Sequence, residues 1–207
     1  MPHPWRFSAA LIWLALISIY GAALAEPVPS PKVVFVIVDG IPADVIERVP
    51  TPAIDAIAEA GGYSRAAMGG PIGEVAETPT ISAPGYMSLI TGTWANKHNV
   101  YKNYGISPDY SYWNLFRLAR SERPELRLGI FSTWTDNRTI LLGEGLAEGG
   151  NWRFDVVVDG LEKREARLPP EPMDVRIADI DDVVSREAAR LIESKGPDLS
   201  WVYLQHT

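Results

Sequence analysis

The sequence predicts an α/β fold: a mostly parallel central sheet with helices on both faces. Three observations predict it. Val33–Val38 (VVFVIV) is a run of six apolar, mostly β-branched residues closed by Asp39-Gly40, the pattern of a buried central strand. Asp174–Ser194 places Ile177, Ile180, Val184, Ala188, Leu191 and Ile192 on one helical face, and Gly196-Pro197 ends the stretch. Leu199–Leu204 then returns to strand composition. Alternation of strand and helix is how parallel strands are joined.

The remaining elements follow in order. Arg6 precedes the uncharged apolar stretch Ser8–Ile19, and Ala23-Leu24-Ala25 supplies a small-x-small site before Glu26. This is the layout of a secretory signal peptide, residues 1–25. The competing reading is an N-terminal anchor, because the uncharged run Phe7–Ala25 is marginally long enough to cross a bilayer. Glu26–Pro31 (EPVPSP) is a linker, and residues 32–207 are the folded part. A short helix follows Pro42. Thr51-Pro52 opens another, with Thr as N-cap and Pro at the first helical position. Ile54, Ile57 and Ala58 give it an apolar face, and Gly61-Gly62 stop it. Tyr63–Met68 reads as a strand, Gly69–Thr80 as a loop, and Pro84–Thr91 as a short helix ended by Gly92. Arg127–Ser132 and Phe154–Val158 are further strands.

Composition narrows the chemistry. Hydrophobic residues make up 46% and charged residues 22% of the 207 residues, a globular balance rather than a disordered one. Cysteine is absent, which excludes disulfides, thiolate-held metals and a cysteine nucleophile. The net charge is −7. Removing residues 1–25 removes one Arg and no acid, leaving 18 − 26 = −8. With no Lys/Arg-rich run, binding to a nucleic-acid duplex is not expected. Export of a cysteine-free chain points to a bacterial periplasm or the exterior, with no stable membrane span after signal cleavage.

Two local patterns carry chemistry. In open α/β sheets ligands gather at the carboxyl ends of strands. Asp39 stands there, a hard oxygen donor suited to a divalent metal; an ordinary Asp-Gly turn is the other reading. The same pattern recurs at Val156-Val157-Val158-Asp159-Gly160, but a more polar segment precedes it and no hydroxyl-rich helix start follows. Asp159 therefore reads as a turn residue. The second pattern is Thr78-Pro79-Thr80-Ile81-Ser82-Ala83-Pro84-Gly85. Ser82 falls near the start of a helix, where the dipole and free N–H groups favour an alkoxide and a bound phosphate; it would serve equally as a plain N-cap. His98 reads as a structural residue rather than a ligand, because metal histidines come with partner ligands nearby. Trp134-Thr135-Asp136-Asn137-Arg138 is either a solvated turn or a pocket wall in which Arg138 meets an anion.

Together these pieces resemble the alkaline phosphatase superfamily, in particular its type I phosphodiesterase/nucleotide pyrophosphatase branch. Val33–Gly40 looks like the first strand with its metal aspartate. Thr51-Pro52-Ala53-Ile54 resembles the helix that follows. Pro79-Thr80-Ile81-Ser82-Ala83-Pro84, then Leu89-Ile90-Thr91-Gly92 and Lys97-His98-Asn99-Val100, resembles the nucleophile block. The resemblance implies a three-layer α/β/α hydrolase domain with two divalent metal ions, zinc or alternatively manganese. It gives Asp39 and Ser82 as metal ligands and Ser82 as the nucleophile, with Thr80 as runner-up. The implied activity is hydrolysis of a small-molecule phosphate ester through a phospho-enzyme.

Two positions depart from the family pattern. Gly85 stands where these pyrophosphatases carry an Asn that holds a phosphoryl oxygen, so the Gly85 backbone N–H is expected to take that place. Tyr86 replaces the Arg of the sulfatase branch. Trp201–Thr207 resembles a strand that the family follows at once with a metal-binding Asp, then further His and Asp ligands. The chain is therefore expected to be the N-terminal part of the domain, with its sheet incomplete at the C-terminus. The alternative is a truncated, inactive α/β module that binds a phosphate-bearing ligand or a partner.

Overall fold

Val33–Val38 forms strand β1, as its β-branched composition favours. The computed structural model describes residues 31–165 and 172–206, so the signal peptide and all of the linker but Pro31 lie outside the described residues. Helix α1 (Ala43–Ile46) follows Pro42, and α2 (Pro52–Ala60) begins at the expected proline. The Asp55 carboxylate reaches back to accept from the Thr51 hydroxyl at 2.8 Å and the Thr51 N–H at 3.3 Å. Helix α3 (Ser82–Thr91) ends at Gly92, whose φ of 67° is a left-handed cap. Helices α4 (Ala95–His98) and α5 (Leu115–Glu122) follow. The Asn114 side chain caps α5 by accepting from the N–H groups of Phe116 and Arg117. Strand β2 (Leu128–Ser132) leads into a π-helical turn, Asn137–Leu141, then to β3 (Val156–Val158), α6 (Leu161–Glu165), α7 (Met173–Lys195) and β4 (Leu199–Leu204).

The strands form one sheet in the order β1-β4-β2-β3, and each pair is parallel. The last strand in sequence therefore lies inside the sheet, with Val36 opposite Val202 on one side and Phe131 opposite Val202 on the other. Side chains of β4 alternate between faces. Trp201 and Tyr203 join Ile130, Phe116 and Met87 in one core. Val202 joins Phe131, Val156 and the predicted stripe Ile177, Ile180, Val184, Ala188 and Leu191 of α7 in the other. Helices cover both faces, as predicted.

Three expectations change. β1 is an edge strand of the described sheet rather than a central one. Phe35 and Ile37 pack inward, but Val34 and Val36 are 43% and 52% exposed. The cause is the placement of α7, which packs on β2, β3 and β4 and leaves the opposite face of β1 without a helix among the described residues. The apolar face of α2 is likewise open, with Ile57 72% exposed. Residues 63–68 are not a strand. Side chains rather than a ladder anchor the segment: the Tyr63 hydroxyl and the Arg65 Nε both donate to Glu47 Oε1 at 2.6 Å.

Candidate active site

The carboxyl ends of β1 and β4 and the start of α3 converge on Asp39. Gly40, at φ 79°, turns the chain away immediately after it. Asp39 and Ser82, 43 residues apart in sequence, meet directly: Ser82 Oγ donates to Asp39 Oδ2 at 3.0 Å. Ser82 occupies the first helical position of α3, and Ile81 is the N-cap. Its hydroxyl thus lies at the positive end of the helix dipole without serving as a cap.

Two further hydroxyls reach the same carboxylate oxygen. Tyr86, one turn into α3, donates to Asp39 Oδ2 at 2.5 Å, and Tyr203 of β4 lies 3.3 Å from it. The two phenol oxygens are 2.8 Å apart. Burial, then the bond to Asp39, pushes the Tyr86 hydroxyl above the ordinary phenol range; burial, then the neighbouring Tyr86, does the same for Tyr203. Both remain protonated donors at neutral pH. Asp39 has no ion pair among the described residues.

A cleft of about 110 Å³ opens beside Ser82, with Asn103, Trp134, Asp136, Tyr203 and Gln205 in its wall. Asn103, which lines the cleft with Ser82, accepts the Ala83 N–H at 2.9 Å through Oδ1. The five-residue segment after β2 is neither of the expected alternatives as a whole. Trp134, Asp136 and Asn137 line the cleft, whereas Arg138 turns away from it. The Arg138 Nε and Nη2 donate to Asp159 at 2.6 and 3.1 Å, and Nη1 donates to Glu144.

Both Arg138 and the Gly85 N–H, expected at the substrate, are engaged within the protein. The Arg138 guanidinium is held by two carboxylates that are themselves almost fully buried. The Gly85 N–H donates to the Ile81 carbonyl as the first hydrogen bond of α3, so it has no proton left for a phosphoryl oxygen. Thr80 is exposed and does not line the cleft. His98 is fully buried, with Nδ1 accepting the Val100 N–H and Nε2 against Ser88 Oγ at 2.9 Å. Since Nδ1 accepts, Nε2 carries the proton and Ser88 Oγ accepts it while donating to the Pro84 carbonyl at 2.7 Å. Burial lowers its pKa to about 4. His98 ties α3 to α4.

Asp39 and Ser82 are oxygen donors of the kind that hard or borderline divalent cations accept. They are two donors, and zinc takes three or four protein ligands per ion. No group of three or more His, Asp or Glu side chains placed to hold a metal ion is present among the described residues. The pair fits as part of a metal site and does not make one alone.

The family model for type I phosphodiesterase / nucleotide pyrophosphatase matches residues 33–207. The chain belongs to this family. The family lies in the alkaline phosphatase superfamily, and the matched span takes in both Asp39 and Ser82. No curated protein matches the chain. Among solved structures, phosphonoacetate hydrolase from Sinorhizobium meliloti 1021, in complex with phosphonoacetate, is similar at 18% identity with a TM-score of 0.46. The alignment covers 86% of this chain and 47% of that one, so this phosphodiesterase-family chain spans about half the length of that structure. Among the described residues, no helix of this family member is long and apolar enough to cross a membrane.

Tyr86, Asn103, Tyr203 and Gln205 were not singled out from the sequence. Tyr86 stood in view as the residue that breaks the sulfatase pattern, and the others are brought in only by the fold. Tyr203 had one further signal: it lies at the carboxyl end of an inner strand.

Proposed function

We propose that this chain carries the nucleophile-bearing part of an exported, metal-dependent phosphoric ester hydrolase. The observation that carries the reading is the Ser82–Asp39 hydrogen bond, formed between two motif pieces at the rim of a cleft. Ser82 is the nucleophile. Its proton is already engaged by a carboxylate, and it sits at a helix start that favours developing negative charge. Thr80 lies outside this arrangement. In the reaction, the Ser82 proton passes to Asp39 Oδ2 as Oγ attacks phosphorus, the bond from phosphorus to the leaving oxygen breaks, and that oxygen takes up a proton from water, leaving the phosphoryl group on the serine. Water then cleaves the Ser82–phosphate bond and restores the hydroxyl. Asn103 donates its NH₂ group to a phosphoryl oxygen, the part expected of Gly85. Asp39 and Ser82 are two ligands for a divalent metal, zinc or manganese, with the other ligands supplied from outside the described residues. When bound, the metal supplies charge neutralisation at the phosphoryl group and a lowered hydroxyl pKa.

The full-length protein tests this with bis(p-nitrophenyl) phosphate. Activity is expected to vanish with chelator, return with zinc or manganese, and be absent in Ser82→Ala. Loss in Thr80→Ala with retention in Ser82→Ala contradicts the assignment. Export is checked by sequencing secreted material, which is expected to begin at Glu26. The second reading, an inactive phosphate-binding module, is favoured by the two-donor count; it requires phosphate binding with no turnover under any metal.

A further inference from the structure

The three hydroxyls around Asp39 converge on one oxygen. Tyr86, Ser82 and Tyr203 lie 2.5, 3.0 and 3.3 Å from Oδ2, and among the described residues no protein donor bonds Oδ1. A carboxylate oxygen accommodates about two strong donors, so the distances order the protons. Tyr203, closer to the Tyr86 oxygen at 2.8 Å than to Asp39, donates to Tyr86; Tyr86 and Ser82 donate to Oδ2.

The rings are fixed by packing. Tyr86 is 5% and Tyr203 1% exposed, with ring centroids 5.0 Å apart and planes at 58°. Phenylalanine would fill the same space and leave no buried hydroxyl to satisfy. Burying a hydroxyl is unfavourable unless it is bonded, so packing alone does not account for two tyrosines here. Asp39 needs an external hold. It follows a strand end and precedes a glycine in the left-handed region, and a carboxylate's terminal torsion is soft.

We propose that Tyr86 and Tyr203 are positioning residues whose hydroxyls form an ordered relay onto Asp39 Oδ2. The relay fixes the rotation of the carboxylate, keeps Ser82 Oγ bound to Oδ2, and leaves Oδ1 free of protein donors. This rests on the reading of Asp39 and Ser82 as the working pair. Because both rings are rigid and come from different elements, α3 and β4, the relay also couples the helix carrying Ser82 to the inner strand.

The test uses the full-length protein with Tyr86→Phe, Tyr203→Phe, the double variant and Ser82→Ala, alongside a protein carrying 3-fluorotyrosine in place of Tyr86. Tyr86→Phe is expected to lower kcat about tenfold, since small misplacements of reacting groups are costly, with KM within about twofold. The double variant is expected to fall little below Tyr86→Phe, because members of one relay are not additive. The fluorine resonance at position 86 is expected to move on Asp39→Asn. A kcat within about twofold of wild type in Tyr86→Phe, or a fluorine resonance that does not move, overturns the proposal. If Tyr86→Phe does not fold, the fluorine measurement decides alone. Full activity in Ser82→Ala with a shifted resonance sinks the nucleophile assignment while leaving the relay standing.

Discussion

Two segments of this molecule have nearly the same sequence and different fates. Val36-Ile37-Val38-Asp39-Gly40 ends β1 and Val156-Val157-Val158-Asp159-Gly160 ends β3, the two opposite edges of the parallel sheet. Both aspartates lie at the carboxyl end, and both glycines turn away at almost the same φ, 79° and 81°. Local chemistry does not separate them; what faces them does. The start of α3 and the end of β4 bring neutral hydroxyls to Asp39, whose charge stays without a cation among the described residues. The π-helical turn brings Arg138 to Asp159, whose charge is cancelled in a buried pair that also holds Glu144. A strand-end aspartate is thus a carboxylate on offer. One is met by neutral hydroxyls and the other is closed by a guanidinium.

The largest effect expected from breaking this contrast is on turnover. In the full-length protein Asp39→Asn is expected to lower kcat/KM by about 10³-fold or more, the scale of removing a group that acts on the transition state. Its unfolding free energy should stay within about 1 kcal/mol of wild type. Asp159→Asn is expected to do the reverse, with turnover per folded molecule unchanged and a lower Tm. Steady-state kinetics and thermal melts on the same preparations check both.

The next effect is on stability. Arg138→Ala leaves the buried carboxylates of Asp159 and Glu144 without their cation, and breaking a buried pair in this way costs about 3–5 kcal/mol. Denaturant unfolding reads it directly. An unchanged midpoint would mean that the clamp is as dispensable as an exposed ion pair.

A third effect separates the two regions by pH. Burial holds folded His98, which ties α3 to α4, at about 4 against an ordinary 6.5. Between these values the unfolded chain binds a proton that the folded chain refuses. The stability His98 contributes is therefore complete above pH 6.5. It falls by roughly 1 kcal/mol per pH unit as pH drops towards 4, then levels off. Arg138, held above its ordinary pKa by Asp159 and Glu144, keeps its charge throughout. Unfolding of His98→Gln at pH 7 and pH 5 is expected to show a shallower fall than wild type.

The smallest effect sharpens the comparison most finely. Gly40→Ala and Gly160→Ala each force a Cβ into the left-handed region, at about 1 kcal/mol. Only the first is expected to reduce turnover, because only there does the turn aim a working carboxylate.

These contrasts show how much the sequence held. The strand β4, the stripe of α7 and the parallel alternation were legible because apolar periodicity records burial directly. Asp39 and Ser82 were legible as strand-end and helix-start residues, and the structure brings them together. The edge position of β1 was not, since six apolar residues say that a strand is sticky without saying which neighbours cover it. The commitment of Arg138 to Asp159 and Glu144 was equally hidden, because a guanidinium suits a phosphate and a carboxylate alike. The Asn103 and Tyr203 contributions come from loop and strand positions that share no spacing with α3, so only the fold could reveal them.

Ser82, held on Asp39, is expected to carry the phosphoryl group during turnover. The most direct measurement is acid quench of the full-length protein during turnover of bis(p-nitrophenyl) phosphate, followed by peptide mass spectrometry of wild type, Asp39→Asn and Asp159→Asn. A p-nitrophenyl phosphoryl group is expected on Ser82 in wild type and Asp159→Asn, and none in Asp39→Asn. The same group on Thr80, or equal labelling of Ser82 in all three proteins, would contradict the assignment.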